Sequence, residues 1–340
     1  MIHGHGDDLY KYKNVEMNFS TNIFNHFDHS RLFAYLSEKL PLITSYPEPA
    51  PTSLERTIAR QTGVEADCIM VTNGATEAIY LIAQCFSGKT QHILQPTFAE
   101  YGDACSMYGS RIHTLSKITP SDRFGNDDTV WFCNPNNPTG TVTDHDVVSA
   151  VISNNPDTLF IIDQSYSHYT LKRTLQPREC ARQGNVLLLN SMTKDFGIPG
   201  LRLGFVTASC RLISLLRSHR MPWSVNSLAI CAGMFLLKHH EDYSIDTAAL
   251  CSERERVGKL IEELGIMTYP SDSNMLLCRL PESDAATLKE FLVASHSILI
   301  RDASNFETLT PQHFRIAVQT REENDKLIKS LKEWMKQCIF

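Results

Sequence analysis

The stretch SMTKDFGIPGLRLGF spans residues 191–205 and follows the apolar run NVLLLN at residues 185–190. A short apolar run between a Gly and a polar segment is typical of a buried strand. Lys194 lies four residues after the end of this predicted strand, and Arg202 follows a turn bounded by Gly and Pro residues. The stretch therefore predicts a lysine and an arginine just beyond the end of one strand.

Apolar runs alternate with helical patterns from about residue 67 to residue 205. The helical patterns cover residues 75–86 and 99–108. The other predicted strands are CIMVT (68–72), HILQP (92–96), TVWFCN (129–134), LFIID (159–163) and LRLGFVTAS (201–209). This alternation predicts an α/β fold, with a mostly parallel sheet covered by helices on both faces.

The remainder of the chain predicts a second unit. Residues 226–262 have the pattern of one long amphipathic helix, followed by short strands at NMLLCRL, SILIR and FRIAV and by two further helices. A length of 340 residues also favours more than one domain. We therefore expect an N-terminal arm at residues 1–30, which forms part of the active site, a large domain at 31–222 and a small α+β domain at 223–340.

Composition excludes several classes of protein. The net charge is −6 and basic residues form no long run, so we expect neither a nucleic-acid nor a membrane partner. The ten Cys contain no C-x-x-C pair, which argues against a metal site and a disulfide framework. Free thiols and an N-terminus without a signal-like apolar stretch predict a cytoplasmic protein.

Polar residues follow five of the predicted strands. They are Asn73-Gly74-Ala75-Thr76, Thr97-Phe98, the segment NPNNPTG (134–140), Asp163 with Tyr166, and Lys194. Ligands of open α/β sheets bind beyond the carboxyl ends of the strands. A lone lysine is more often a solvated surface residue, but five such ends in one sheet favour a site. Lysine amines form imines with carbonyl cofactors, and pyridoxal-phosphate enzymes pair that lysine with an acid.

These motifs resemble a known superfamily. SMTKDFGIPGLRLGF is similar to the Schiff-base motif of fold-type-I pyridoxal-phosphate (PLP) enzymes, the aspartate aminotransferase superfamily, and NPNNPTG and DQSY (163–166) resemble its other signatures. The resemblance covers nearly the whole chain, from Tyr46 to Arg315. It implies PLP as cofactor. It also implies a large domain with a mostly parallel sheet of the seven-stranded type, and a smaller α+β domain.

The resemblance assigns catalytic roles to three residues. Lys194 would bind PLP as a Schiff base and move protons, Asp163 would keep the pyridine nitrogen protonated, and Tyr166 would hydrogen-bond the phenolic oxygen. The other implied cofactor-binding residues are Asn137 at the phenolic oxygen, Phe98 on the ring face, and Gly74, Ala75, Thr76, Ser191, Thr193, Arg202 and Tyr46 around the phosphate. Tyr46 would reach the site of the partner subunit, which implies a homodimer.

Two groups within the superfamily are similar to this chain: the histidinol-phosphate aminotransferases and the L-threonine-O-3-phosphate decarboxylases of cobalamin biosynthesis. The segments that favour the decarboxylases are HGHGDD (3–8), VEMNFSTNI (15–23), PTFAEYGDA (96–104), MPWSVNSLA (221–229) and ILIRDASNF (298–306). We therefore expect decarboxylation of L-threonine O-3-phosphate to (R)-1-aminopropan-2-yl phosphate. The alternative is histidinol-phosphate aminotransferase or a related class I/II aminotransferase.

The substrate candidates are mainly arginines. Arg301 and Arg315 each lie in an apolar, strand-like run, where a solvated surface charge is less expected. A guanidinium binds phosphate or carboxylate oxygens in pairs, so both arginines are candidate anion binders. The resemblance adds Asn22, Asn137 and His3, although His3 and His5 match the N-terminal motif only loosely.

Two rival functions fit the sequence less well. A dinucleotide-dependent oxidoreductase needs a Gly-x-Gly-x-x-Gly turn, and the sequence contains none. A non-catalytic relative of the PLP enzymes would be expected to have lost Lys194, Asp163, Tyr166 or Arg202, and all four are present.

Overall fold

The computed structural model describes residues 8–337. Its strands are β1 (Met17–Asn18), β2 (Ile69–Thr72), β3 (Thr90–Leu94), β4 (Arg111–Leu115), β5 (Thr129–Cys133), β6 (Leu159–Asp163), β7 (Val186–Ser191), β8 (Gly204–Ala208), β9 (Met267–Thr268), β10 (Met275–Arg279), β11 (Ile298–Leu299), β12 (Arg301–Asp302) and β13 (His313–Ala317). Strands β2 to β8 form one sheet, and β9, β10, β12 and β13 form another.

The helices flank these sheets. They are α1 (Ser30–Lys39), α2 (Thr52–Thr62), α3 (Gly74–Cys85), α4 (Glu100–Met107), α5 (His145–Ser153), α6 (Pro177–Arg182), α7 (Met192–Phe196), α8 (Cys210–His219), α9 (Ser227–Lys238), α10 (Thr247–Glu263), α11 (Ala285–His296) and α12 (Arg321–Gln337). None of the described helices combines the length and apolar character that crossing a bilayer requires.

The large sheet has seven strands in the order β2-β8-β7-β6-β5-β3-β4. All neighbours pair in parallel except β8, which runs antiparallel to both β2 and β7. Every residue of β5, β6 and β7 is buried, because helices cover both faces of the sheet. The predicted fold class is confirmed. The carboxyl ends of β2, β3, β5, β6 and β7 meet the amino end of β8 at one edge.

A smaller antiparallel sheet, in the order β12-β13-β10-β9, lies beside helices α10, α11 and α12. Its apolar side chains, including Phe314 and Ile316, share one buried cluster with Leu327 and Leu331 of α12. The N-terminal arm joins this part of the molecule, because β1 pairs in parallel with β11. The arm thereby brings residues 19–23 toward the large sheet.

The structure corrects one expected helix. Residues 226–262 form two α-helices, α9 and α10, with a short 3-10 helix (His240–Tyr243) between them. Asn226 and Asp246 cap the two helices by accepting hydrogen bonds from backbone N–H groups of their first turns. Helix α9 packs against α1 and α2, next to the large sheet. The proposed domain boundary at residue 222 stays a prediction.

Candidate active site

A cavity of about 270 Å³ opens at the edge where the parallel strands end. Most of the candidate residues line it. They are Asn22, Ala75, Thr76, Phe98, Asn137, Asp163, Tyr166, Ser191, Thr193, Lys194, Arg202, Arg301 and Arg315. The strand order and the N-terminal arm therefore bring residues from the whole length of the chain into one site.

Lys194 lies in α7, the short helix that begins after β7. Its Nζ donates a hydrogen bond of 2.6 Å to Oδ1 of Asn22, and the hydroxyl of Tyr169 donates one of 2.8 Å to its backbone carbonyl. The Nδ2 of Asn22 in turn donates to the hydroxyl of Tyr166. Both ends of the lysine are thus held, with the amine directed into the cavity.

Asp163 ends β6 and is buried. Its Oδ1 accepts hydrogen bonds from the backbone N–H of Ser165 at 2.9 Å and from the Ser165 hydroxyl at 2.6 Å. Its Oδ2 accepts one of 2.7 Å from the hydroxyl of Tyr101. Hydrogen-bond donors on both oxygens fix the plane of the Asp163 carboxyl group.

Tyr166 lies three residues beyond Asp163 and is also buried. Burial raises the pKa of Tyr166 well above its usual value, whereas the nearby Arg315 opposes that rise. A phenol with a raised pKa keeps its proton at neutral pH. Tyr166 is therefore available as a hydrogen-bond donor inside the cavity.

One end of the cavity is shaped to bind an anion. Helix α3 begins at Gly74, so the N–H groups of Ala75 and Thr76 lie in its first turn and lack partners within the helix. Gly74 has φ of +78°, and a Cβ at this position would lie 2.7 Å from Nη2 of Arg202. The guanidinium can approach the helix N-terminus this closely because Gly74 has no side chain.

Two buried arginines also line the cavity. Arg301 on β12 and Arg315 on β13 are directly opposite each other in the antiparallel pair. Arg315 donates to Oδ1 of Asn137 and to the backbone carbonyl of Ser20, and Arg301 donates to Oδ1 of Asn305 at 2.6 Å. Arg315 thus links the small sheet, the large sheet and the N-terminal arm.

The charge of these arginines favours an anionic ligand. Burial lowers the pKa of Arg301, because water no longer stabilises its positive charge. Phe306 lies beside the same guanidinium, 5.4 Å from ring centroid to Cζ. Two cations held side by side away from water are stabilised by a ligand that carries negative charge.

Some of the candidate site residues do not line the cavity. Gly74 does not line the cavity itself but forms the close approach to Arg202. Tyr46 is 86% exposed and packs on Trp223, with ring centroids 5.4 Å apart. His3 and His5 lie outside the described residues. The roles of Tyr46 and His3 stay predictions.

Sequence reasoning missed three residues that shape the site: Tyr101, Ser165 and Tyr169. Tyr101 lies in the first turn of α4, Phe98 lies just before that helix, and the two rings meet edge to face with their centroids 5.8 Å apart. The sequence signal that could have indicated Tyr101 is its position, since it is an aromatic residue three positions after Phe98. The hydrogen bonds that give Tyr101 and Tyr169 their importance depend on long-range packing.

The cavity fits PLP on the chemistry of its walls. The buried hydroxyl of Thr193 has no hydrogen-bond partner within residues 8–337, and the N-terminus of α3 offers free N–H groups beside Arg202. A carboxylate (Asp163), a phenol (Tyr166) and an amine (Lys194) face the same space. Within the described residues, no group of three or more His, Cys, Asp and Glu side chains is arranged to hold a metal ion.

Known proteins match this chain over most of its length. Residues 15–331 match the family "Aminotransferase class I and II". The chain is 28% identical to the threonine-phosphate decarboxylase of Salmonella typhimurium over 87% of its own length and 85% of that protein. It is 27% identical to the histidinol-phosphate aminotransferase of Ruminiclostridium cellulolyticum, over 88% of this chain and 86% of that protein.

A solved structure is similar to this chain in both fold and sequence. The crystal structure of L-threonine-O-3-phosphate decarboxylase from Porphyromonas gingivalis superimposes with a TM-score of 0.91 at 34% identity, covering 94% of this chain and 99% of that one. Together with the matched motifs and the cavity, these similarities show the family. The chain belongs to the aminotransferase class I and II family of PLP-dependent enzymes.

Proposed function

We propose that this enzyme decarboxylates L-threonine O-3-phosphate to (R)-1-aminopropan-2-yl phosphate. The observation that carries the proposal is the pair of buried arginines, Arg301 and Arg315, on the cavity wall. The substrate carries two anionic groups, a phosphate and a carboxylate, and two guanidiniums side by side suit such a ligand. Similarity to threonine-phosphate decarboxylases from two organisms supports the same reaction.

The residues around the cavity would hold the cofactor in one orientation. Ala75, Thr76, Ser191, Thr193 and Arg202 would bind its phosphate. Asn137 and Tyr166 would hydrogen-bond its phenolic oxygen, and Phe98 would cover one ring face. Asp163 would hold a proton on the ring nitrogen, because a buried carboxylate favours a positive charge beside it.

Bound PLP supplies an electron sink for the electron pair left on the substrate Cα when a bond to that carbon breaks. The Nζ of Lys194 would then deliver a proton to Cα, since decarboxylation replaces the carboxylate with hydrogen. Asn22 holds that amine at 2.6 Å and contacts Tyr166, so it would position the lysine and line the substrate space. His3 is proposed as a further substrate residue.

The two arginines would also determine which bond of the substrate Cα breaks. With the cofactor bound, the reaction would depend on which group of the substrate Cα the protein holds in position to leave. A decarboxylase would have to hold the carboxylate in that position, whereas an aminotransferase would have to hold the Cα hydrogen there. Anchoring both anions on Arg301 and Arg315 would restrict rotation about the substrate's Cα and favour loss of the carboxylate.

One assay separates the decarboxylase from the aminotransferase. The purified enzyme with PLP is incubated with L-threonine O-3-phosphate in the absence of any oxo acid, and carbon dioxide and the amino-alcohol phosphate are measured. We expect both products in equal amounts. A parallel reaction contains histidinol phosphate and 2-oxoglutarate. Turnover there, without carbon dioxide from threonine phosphate, would replace our proposal with the histidinol-phosphate aminotransferase activity of the other relatives.

We further propose a homodimer that works in the cytoplasm. The side chains of Ile43, Tyr46, Met221 and Trp223 are exposed apolar groups, and Tyr46 packs on Trp223. Contact with a second copy would cover them and bring Tyr46 toward the partner's cofactor phosphate. Light scattering measures the mass of the particle. Tyr46→Phe should weaken PLP binding without changing that mass, and a monomeric wild-type enzyme would contradict the proposal.

A further inference from the structure

Two thiols outside the active site lie side by side. The Sγ atoms of Cys68 and Cys210 are 2.9 Å apart, although 142 positions separate the residues in the sequence. Cys68 ends the 3-10 helix that precedes β2, and Cys210 is the first residue of α8. The sulfurs of a disulfide are about 2.05 Å apart, so a small approach would join them. Neither thiol has a role in the proposed reaction.

The backbones that carry the two thiols are already fixed to each other. Arg217, on α8, donates hydrogen bonds of 3.0 Å to Oδ1 of Asp67 and to the backbone carbonyl of Ile69. Strands β2 and β8 also pair next to the thiols, with Ile69 opposite Thr207. The segments that carry Cys68 and Cys210 are therefore held next to each other in the folded protein.

The two thiols differ in accessibility. Cys210 is exposed, whereas Cys68 is buried. Burial, followed by the hydrogen bond with Cys210, raises the pKa of Cys68 to about 11. The thiolate is the reactive form of cysteine, so the exposed Cys210 meets a dissolved oxidant first and Cys68 reacts second.

We propose that Cys68 and Cys210 form a reversible disulfide when the enzyme meets a small disulfide oxidant such as glutathione disulfide. The Cys210 thiolate attacks one sulfur of the oxidant, the oxidant's S–S bond breaks, and one glutathione leaves. The Cys68 thiolate then attacks Sγ of Cys210 and displaces the second glutathione. Two protein thiols are oxidised, one glutathione disulfide is reduced, and the two thiol protons pass to the departing glutathione thiolates.

The expected effect is on stability and not on catalysis. The bond would lie before β2, whereas Gly74 and the cavity lie beyond the other end of that strand. Closing so long a loop restricts the unfolded chain, and we expect the melting temperature to rise by roughly 5 °C. Turnover of the PLP-loaded enzyme should not change.

The test treats the PLP-loaded enzyme with glutathione disulfide and then maps its tryptic peptides without reduction. Cys85→Ser is used as the parent, since it leaves Cys68 as the one thiol in the peptide 61–89. We expect this peptide to be linked to the peptide 203–211, which contains Cys210. The link and the gain in melting temperature should both disappear on addition of dithiothreitol.

Two variants complete the design. Cys210→Ser, at an exposed position, should lose the link and the thermal gain, whereas Cys231→Ser, at a partly buried thiol, should keep both. A lasting glutathione adduct on Cys210 with Cys68 still free would overturn the proposal. So would a link from Cys210 to the peptide 179–182, which contains the buried Cys180.

Discussion

The hydroxyl of Tyr101 donates a hydrogen bond of 2.7 Å to Oδ2 of Asp163, the carboxylate at the end of β6. Burial, and after it the charge of Asp163, raises the pKa of Tyr101 well above its usual value. The phenol therefore keeps its proton over the working pH range. Because Ser165 occupies the other oxygen, Tyr101 determines how Oδ2 is presented to the cavity.

Tyr101→Phe should slow catalysis without preventing cofactor binding. The variant removes one hydrogen bond to a charged group, which is worth about 1.5–3 kcal/mol, so kcat should fall roughly tenfold or more. Steady-state kinetics and the absorbance of the bound cofactor measure the two effects. Tyr108→Phe, at the end of the same helix, is the control and should behave as wild type. Unchanged kcat in Tyr101→Phe would remove the tyrosine from catalysis.

Arg301→Gln should damage binding of a phosphorylated substrate specifically. Losing a charge-assisted contact of about 1.5–3 kcal/mol raises KM for threonine phosphate roughly 10- to 100-fold. The cofactor spectrum should not change, because we propose that other residues bind the PLP phosphate. Arg315→Gln should lower kcat as well, since Arg315 also holds Asn137. Arg279→Gln, at the exposed end of β10, is the matched control, and a KM rise of equal size there would show a non-specific charge effect.

Gly74→Ala should weaken the affinity for PLP. The new methyl group would lie 2.7 Å from Nη2 of Arg202, so the guanidinium must move. Gly88→Ala is the control, because Gly88 also has a positive φ, +73°, but no atom lies within 4 Å of the position that its new methyl group would take. Both variants should lose about 1 kcal/mol of stability from backbone strain. Titration with PLP should show a weaker affinity for Gly74→Ala than for Gly88→Ala. Equal affinities would contradict the inference that Arg202 lies too close to Gly74 for a methyl group to fit.

His168 should make the stability of the enzyme pH-dependent. Its Nδ1 lies 2.5 Å from Oδ1 of Asp195, beside Lys194, and the charge of Asp195 raises the pKa of His168 from 6.5 to about 9. Because the folded-state pKa is the higher one, the stabilisation is complete below pH 6.5 and is lost as the pH rises through about 9.

Melting temperatures measured between pH 6.5 and about pH 9 test the direction of this pH dependence. His168→Gln should be less stable than wild type below pH 6.5, and the difference should shrink toward pH 9. His219→Gln, at the exposed end of α8, should show no such trend. A stability difference between wild type and His168→Gln that grows with pH would contradict a raised pKa of His168.

The sequence predicted those parts of the fold that short apolar runs encode. Strands β5, β6 and β7 are buried on both faces, so their composition is distinctive. Strand β4 was missed because it lies at the sheet edge and most of its residues are exposed. The antiparallel direction of β8 was also not predicted, since strand direction depends on how the chain returns to the sheet.

In the candidate site, too, the features encoded by local sequence were predicted, and those that depend on long-range contacts were not. Residues at strand ends, such as Asp163 and Lys194, were predicted because the ends of parallel strands converge. Tyr101 was not, because its partner lies 62 positions away. The Arg301–Arg315 alignment likewise depends on strand register, which neither sequence segment reveals alone.

The residues that we propose for cofactor binding and the arginines that we propose for substrate binding lie on different sheets, which has an evolutionary consequence. Lys194 and Asp163 belong to the seven-stranded sheet and the helix that follows it, whereas Arg301 and Arg315 belong to the four-stranded one. After gene duplication, mutations in two short strands can alter which molecule is accepted while the inherited cofactor chemistry persists. Such separation offers a physical route by which decarboxylases and aminotransferases diverge from one ancestor.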